Sequence, residues 1–279
     1  MDKDMKPTSS PPATTFYQVG FPAPWVMLVT INREARMNAI PIAGHREGHK
    51  LWQWFDEEPG LRVAVVTGKG ARAFCCGADL KELEEGTQSG EKPESVLFSH
   101  GGFMGFSRRE GKKPVIAAVN GFAFGGGFEI VLNCDMVMVS PTAQFSFPEV
   151  KRGLWPAAGG TARLARTFGM QLASEIVLTG RVLSAMDAMS LGFARVSRTP
   201  DSLLAEAIEL AKEVASMSPD AVIVARAGLR QTWETASVER ATQLTENRYD
   251  RALMKGENLR IGLKAFVNKQ KPEWVPAKL

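Results

Sequence analysis

The stretch "GFAFGGGFEIVLNCDM", Gly121 to Met136, sets Gly125, Gly126 and Gly127 inside an apolar run, with one carboxylate, Glu129, directly behind them. An isolated carboxylate among apolar neighbours is expensive to bury. Glycine gives up more backbone freedom on folding than any other residue. The stretch is therefore either an apolar flexible loop or a place where the backbone itself serves as a ligand. Its flanks favour the second reading. "PVIAAVNG", Pro114 to Gly121, reads as a β-strand, and "FEIVLNCDM" opens as a short apolar helix. The grammar is strand, glycine loop, helix.

The same grammar occurs upstream. "LRVAVVTG", Leu61 to Gly68, is a strand closed by glycine, and "GKGARAFCCGADLKELEEG" leads through a glycine loop into a helix starting near Ala78. Backbone N–H groups at the start of a helix have no intrahelical partner, and the helix dipole favours negative charge there. Taken alone, either segment reads equally as a plain strand–helix connection. Together they could each donate one amide to one carbonyl oxygen, which is what an oxyanion hole requires. A second carboxylate, Glu149 in "AQFSFPEVKRG", follows Phe147 and Pro148. Desolvation and mutual repulsion raise the proton affinity of two such carboxylates, suiting them to acid and base work near neutral pH. The competing reading is a pair of N-cap or core-edge glutamates.

Outward from these segments, "WVMLVTI", Trp25 to Ile31, and "MVMVS", Met136 to Ser140, are further strands, and none alternates cleanly, so both faces of the sheet are expected to be covered. "GHREGHKLWQWFDE" has helical spacing, with His49, Trp52 and Phe55 on one face. The alternation of strand and helix predicts an α/β core over residues 13–200. Beyond Pro200 only helical patterns follow, with Leu203, Ala207 and Leu210 on one stripe, and a neighbouring subunit is the expected cover for this 201–272 region. Residues 1–12 read as a disordered lead and 273–279 as an exposed tail.

The 279 residues carry 34 Lys+Arg and 30 Asp+Glu, a formal charge of +4, with no run of basic residues interleaved with aromatics, so nucleic acid is a poor partner. No apolar segment is long enough for a membrane span. Three cysteines, two of them adjacent, make no disulfide framework. His45 and His49 stand four apart without the glutamate of a zinc motif, since Arg46 follows His45, and they read as a surface pair. No metal is expected.

The motifs resemble those of the crotonase superfamily of acyl-coenzyme A enzymes, specifically the enoyl-CoA hydratases. The matching stretches are "NREARMNAI", "VAVVTGKGARAFCCGADLKE", "KPVIAAVNGFAFGGGFEIVLNCDMVMVSPTAQFSFPEVKRGLWPAAGGTARLARTFG", "LTGRVLSAMDAMSLGFARV" and "LKAFVNKQKP", in family order from Phe16 to Pro272. The resemblance implies a crotonase fold with a repeated ββα core, and reversible addition of water to the 2,3-double bond of an acyl-CoA thioester. It implies oxyanion amides at Ala78 and Gly126, catalytic glutamates at Glu129 and Glu149, and a water-orienting amide at Ala157. Trp155 stands where smaller aliphatic residues are usual and is placed near the acyl pocket, with packing beneath the turn as the alternative. Arg33, Arg36, Lys69 and Arg72 are candidates for the coenzyme A phosphates, though Arg33 and Arg36 also read as solvated charges. No cofactor is implied, because coenzyme A is part of the substrate.

The resemblance further implies a homotrimer or a hexamer of stacked trimers. Departures lie at Glu34, Pro41, Trp155 and the glycine-rich stretch Val96 to Arg109. A Δ3,Δ2-enoyl-CoA isomerase is the alternative activity, and an idle scaffold or RNA-binding protein the alternative class. The ending Ala277-Lys278-Leu279 resembles a peroxisomal address, implying an import receptor as partner; the cytoplasm is the alternative location. The N-terminal lead and the "GF-x-G-x-x-RR" segment resemble filamentous-fungal members. Some of these serve secondary metabolism, including dehydration of mevalonyl-CoA for hydroxamate siderophores.

Overall fold

The computed structural model describes residues 7–88 and 101–279. Two sheets organise the chain. The larger holds β1 (Tyr17–Ala23), β2 (Val26–Ile31), β3 (Val63–Gly68), β5 (Val115–Val119), β7 (Met136–Val139) and β10 (Arg195–Val196), adjacent in that order. The smaller holds β4 (Ala73–Cys75), β6 (Phe122–Phe124), β8 (Gln144–Ser146) and β9 (Leu183–Ser184). The β1–β2 pair is antiparallel, and β2, β3, β5, β7 and β10 run parallel to one another. Each central unit sends one strand to the large sheet, the next to the small sheet, and then turns into a helix. Thus β3 and β4 lead to α2 (Leu80–Gln88), and β5 and β6 lead to α3 (Gly126–Asn133). This is the repeated ββα core of the crotonase fold. Because β4, β6 and β8 run parallel, the helical turns that follow them start at the same edge of the small sheet.

The central strands are buried throughout, as their unbroken apolar runs predicted; every residue of β3 and of β5 is buried. One face of the large sheet packs on α1 (Ile42–Glu57) and α3 through Val29, Leu51, Trp52, Phe55, Val66 and Ala117. The other face is covered by α7 (Leu203–Ala215), whose buried stripe is Leu203, Ala207, Ala211 and Ala215. That corrects two expectations. Spacing by four carries the stripe through Ala211, with Leu210 half-buried at its edge, and α7 covers this chain's own sheet rather than a neighbour's.

After α7, Pro219 starts α8 (Pro219–Gln231), and α9 (Val238–Lys255) and α10 (Glu257–Val267) follow. Their outer faces leave Leu229, Val238, Met254, Phe266 and Val267 exposed.

Both ends of the chain are tied down more than their composition suggested. Thr8 and Ser9 each donate a backbone N–H and a hydroxyl to the Glu58 carboxylate, so order begins before Pro12. At the other end Val275 exchanges hydrogen bonds with Asn258, and the Lys278 amide donates to Asp220 at 2.9 Å. The Lys112 ammonium reaches the Leu279 carbonyl oxygen at 2.9 Å. Ala277 and Leu279 line a cavity of about 230 Å³ with Leu61, Val214 and Ile223. The tail therefore lies on the body of the protein instead of standing clear of it. His45 is another correction. It is buried against Phe103, with ring centroids 4.5 Å apart, because α1 turns its 45, 48, 52 and 55 positions inward.

Candidate active site

The glycine loop Gly125–Gly127 follows β6. Gly125 has φ +55° and ψ −126°, a conformation that side chains resist. Its N–H donates to the Ser146 carbonyl at 2.9 Å, tying the loop to β8. A Cβ at Gly125 would lie 2.9 Å from Glu149 Oε1, and one at Gly127 would lie 2.0 Å from the Cys75 carbonyl oxygen. The glycines thus let α3 seat directly on β4 and let a carboxylate approach the loop. The upstream loop meets this one: a Cβ at Gly77 would stand 3.4 Å from the Gly126 nitrogen. Among the described residues, neither the Ala78 nor the Gly126 amide donates a hydrogen bond within the protein. Two unpaired N–H groups from neighbouring strand–helix turns are what a developing oxyanion needs.

The two carboxylates come from different elements. Glu129 lies in the first turn of α3 and is 3% exposed. Its Oε1 accepts the Gly160 N–H at 2.8 Å, where α4 (Gly160–Phe168) begins. Burial pushes its pKa up to about 7, and the charge of Glu149 adds to that rise. Glu149 sits on the 3-10 turn Pro148–Arg152 that follows β8, with the proline at the turn's start. Burial pushes Glu149 up to about 7 as well, and its Oε2 is buried without a hydrogen-bond partner among the described residues. Carboxylates held near neutrality in this way can serve together as an acid and a base.

Other expected positions fare differently. Ala157 has no hydrogen bond to either carboxylate; the turn amides that act on Glu129 are those of Gly160 and Ala158. Trp155 is 63% exposed, which removes the reading that its indole packs in the core beneath the turn. Nothing in the described contacts brings it to the glutamates. Arg33 is committed internally, pairing with Asp79 at 3.0 Å and donating to the Ala39 carbonyl at 2.6 Å. It holds the loop ahead of Ala78 in place and is poorly disposed to reach a phosphate. Arg36, Lys69 and Arg72 are exposed.

Arg163 was not anticipated. It is a half-buried guanidinium whose charge acts on Glu129, and burial holds its pKa below the usual arginine value. Residues 96–100 of the glycine-rich stretch lie outside the described residues. Among the described residues no group of three His, Cys, Asp or Glu could hold a metal ion. No described helix is long and apolar enough to cross a membrane.

Two unpaired amides at neighbouring strand–helix turns, with two buried carboxylates of raised pKa near them, are groups that suit chemistry on an acyl thioester. The sequence model of the enoyl-CoA hydratase/isomerase family matches residues 24–276, and the chain belongs to that family. Within it the chain is an enoyl-CoA hydratase, a hydro-lyase acting on acyl-CoA thioesters. It is 44% identical to a mevalonyl-coenzyme A hydratase of Aspergillus fumigatus over 272 residues, covering 98% of this chain and 99% of that one. A carnitinyl-CoA dehydratase of Proteus mirabilis is 37% identical over 86% of this chain and 91% of its own. The crystal structure of an enoyl-CoA hydratase from Mycobacterium tuberculosis superposes with a TM-score of 0.84 at 31% identity, covering 94% and 99% of the two chains.

Proposed function

We propose that Glu149 carries the α-proton and Glu129 holds the water. The observation behind this division is that Glu129 Oε1 is fixed by the Gly160 amide, whereas Glu149 Oε2 is buried without a partner, free to exchange a proton with substrate carbon. In the dehydration direction the Glu149 carboxylate takes the proton from C2. The electron pair passes into the thioester carbonyl, whose oxygen rests on the Ala78 and Gly126 amides. It then forms the C2–C3 double bond as the C3–O bond breaks, and the departing hydroxyl takes its proton from Glu129 and leaves as water. Hydration is the reverse. At neutral pH the pair shares roughly one proton, which matches the requirement for one acid and one base.

The acyl group is proposed to be short, branched and oxygenated, of the mevalonyl-CoA type. The support is the 44% identity to a mevalonyl-coenzyme A hydratase over almost the whole chain. Peroxisomal import through Ala277-Lys278-Leu279 and assembly as a trimer or hexamer belong to the same proposal. The exposed apolar residues of α8 to α10 favour assembly. Rates measured with crotonyl-, decenoyl- and mevalonyl-CoA test the acyl assignment. The highest kcat/KM is expected with mevalonyl-CoA, and a preference for decenoyl-CoA would overturn it.

A further inference from the structure

The segment after residue 100 is a strap pressed between α1, α3 and the Ala157–Gly160 turn. Gly102, Met104 and Gly105 all have positive φ, +72°, +60° and +59°, and Met104 adopts that conformation despite its side chain. Strain of this kind persists only where the surroundings hold it, and here they do. The Met104 N–H donates to His45 Nδ1 at 3.0 Å. The Phe103 N–H donates to Ser107 Oγ at 2.9 Å, and Ser107 Oγ donates to the Ala158 carbonyl at 2.8 Å. Asn133, at the end of α3, donates to the Phe106 and Arg109 carbonyls. Gly48 of α1 is the floor of the contact, since a Cβ there would lie 2.2 Å from the Met104 carbonyl oxygen.

This bracing aims one side chain. Phe103 is 2% exposed, and its ring lies flat on Gly126: a Cβ at Gly126 would sit 2.6 Å from two ring carbons. The residue that supplies an oxyanion amide therefore has a phenyl ring as its immediate neighbour. The strap that carries the ring is bonded to the turn that supplies the Glu129 partner. An acyl chain whose carbonyl oxygen rested on the Ala78 and Gly126 amides would leave that point with the Phe103 ring as its neighbour.

We infer that Phe103 is the specificity-determining wall of the acyl site, limiting chain length, and that His45 is a positioning residue that holds the wall through the Met104 amide. The inference rests on the hydratase reading of the site. Burial lowers the His45 pKa to about 4, so the imidazole is neutral and Nδ1 keeps its lone pair for Met104 across the working range.

The test compares kcat/KM for crotonyl-, hexenoyl- and decenoyl-CoA in the wild type and in variants at the two positions. Phe103→Ala is expected to raise the decenoyl-to-crotonyl ratio by about 10- to 100-fold, as for pockets that change by a few methylenes. Phe103→Leu, which keeps most of the volume, gives a smaller rise and covers the case in which the alanine variant fails to fold. His45→Phe, which keeps a ring but offers no acceptor, should relax chain-length preference in the same direction. His45→Gln, whose amide oxygen can accept the Met104 N–H, should restore it. An unchanged ratio in folded Phe103→Leu and His45→Phe, with crotonyl-CoA still hydrated, overturns the wall and leaves the reaction standing. Absence of hydration by the wild type on all three thioesters, together with no dehydration of mevalonyl-CoA, overturns the reaction and the wall together.

Discussion

Phe128 and Phe147 stack with ring centroids 4.8 Å apart and planes inclined by 25°, joining the residue before Glu129 to the segment that carries Glu149. Both rings are fully buried, and a Cβ at Gly160 would lie 2.7 Å from the Phe147 ring. One aromatic contact thus ties together the two elements that carry the carboxylates. Phe147→Leu should keep the fold and lower kcat by about 10- to 100-fold with KM little changed, because small misplacements of catalytic groups act on the transition state. Steady-state kinetics checks this, and a pure KM effect would show that the stack positions the substrate instead.

The pH dependence follows from the same burial. Glu129 and Glu149 both lie near 7, so kcat/KM should be bell-shaped with both limbs belonging to the pair. Below the bell both are protonated and the base is lost; above it both are ionised and the acid is lost. A rate flat from pH 5 to 9 would contradict the raised carboxylates.

Stability gives an independent reading of Glu129. Its pKa rises on folding from 4.5 to about 7, so the folded state binds the proton more tightly than the unfolded chain. That contribution is fully present below 4.5 and is lost as pH rises through 7, a loss on the order of 3 kcal/mol at most. Glu129→Gln keeps an acceptor for the Gly160 amide and removes the titration. It should melt above the wild type at pH 8.5, with the difference shrinking toward pH 5. Parallel melting curves at both values would place the Glu129 pKa near its ordinary range.

Trp155 carries a simpler expectation. At 63% exposure its truncation to alanine should change stability by no more than about 0.5 kcal/mol, the usual range for surface positions. Chemical denaturation of Trp155→Ala measures this, and a loss of several kcal/mol would put the indole back in a packed environment.

What could be read without the structure was local. β2, β3, β5 and β7 stood out because long apolar runs bounded by glycine or proline have few alternatives, and Glu129 and Glu149 stood out as carboxylates among apolar residues. β1 did not, because Gly20 and Pro22 interrupt it and its burial does not alternate. The strands of the small sheet are only two or three residues long, too short for any period to show. The Gly160 amide, the Phe103 ring and the buried His45 act through contacts between distant segments, which leave no signal in local spacing. The pairing of Arg33 with Asp79, 46 residues away, is likewise invisible in local spacing.

The central claim is that Glu129 and Glu149 work as one acid–base pair beneath the two amides. The most direct measurement is the hydration rate of Glu129→Gln and of Glu149→Gln, beside calorimetric binding of the saturated hydroxyacyl-CoA product. The pair predicts that each substitution lowers turnover by about 10²- to 10⁴-fold, with product affinity within a few-fold of the wild type. Wild-type turnover in either variant would contradict it.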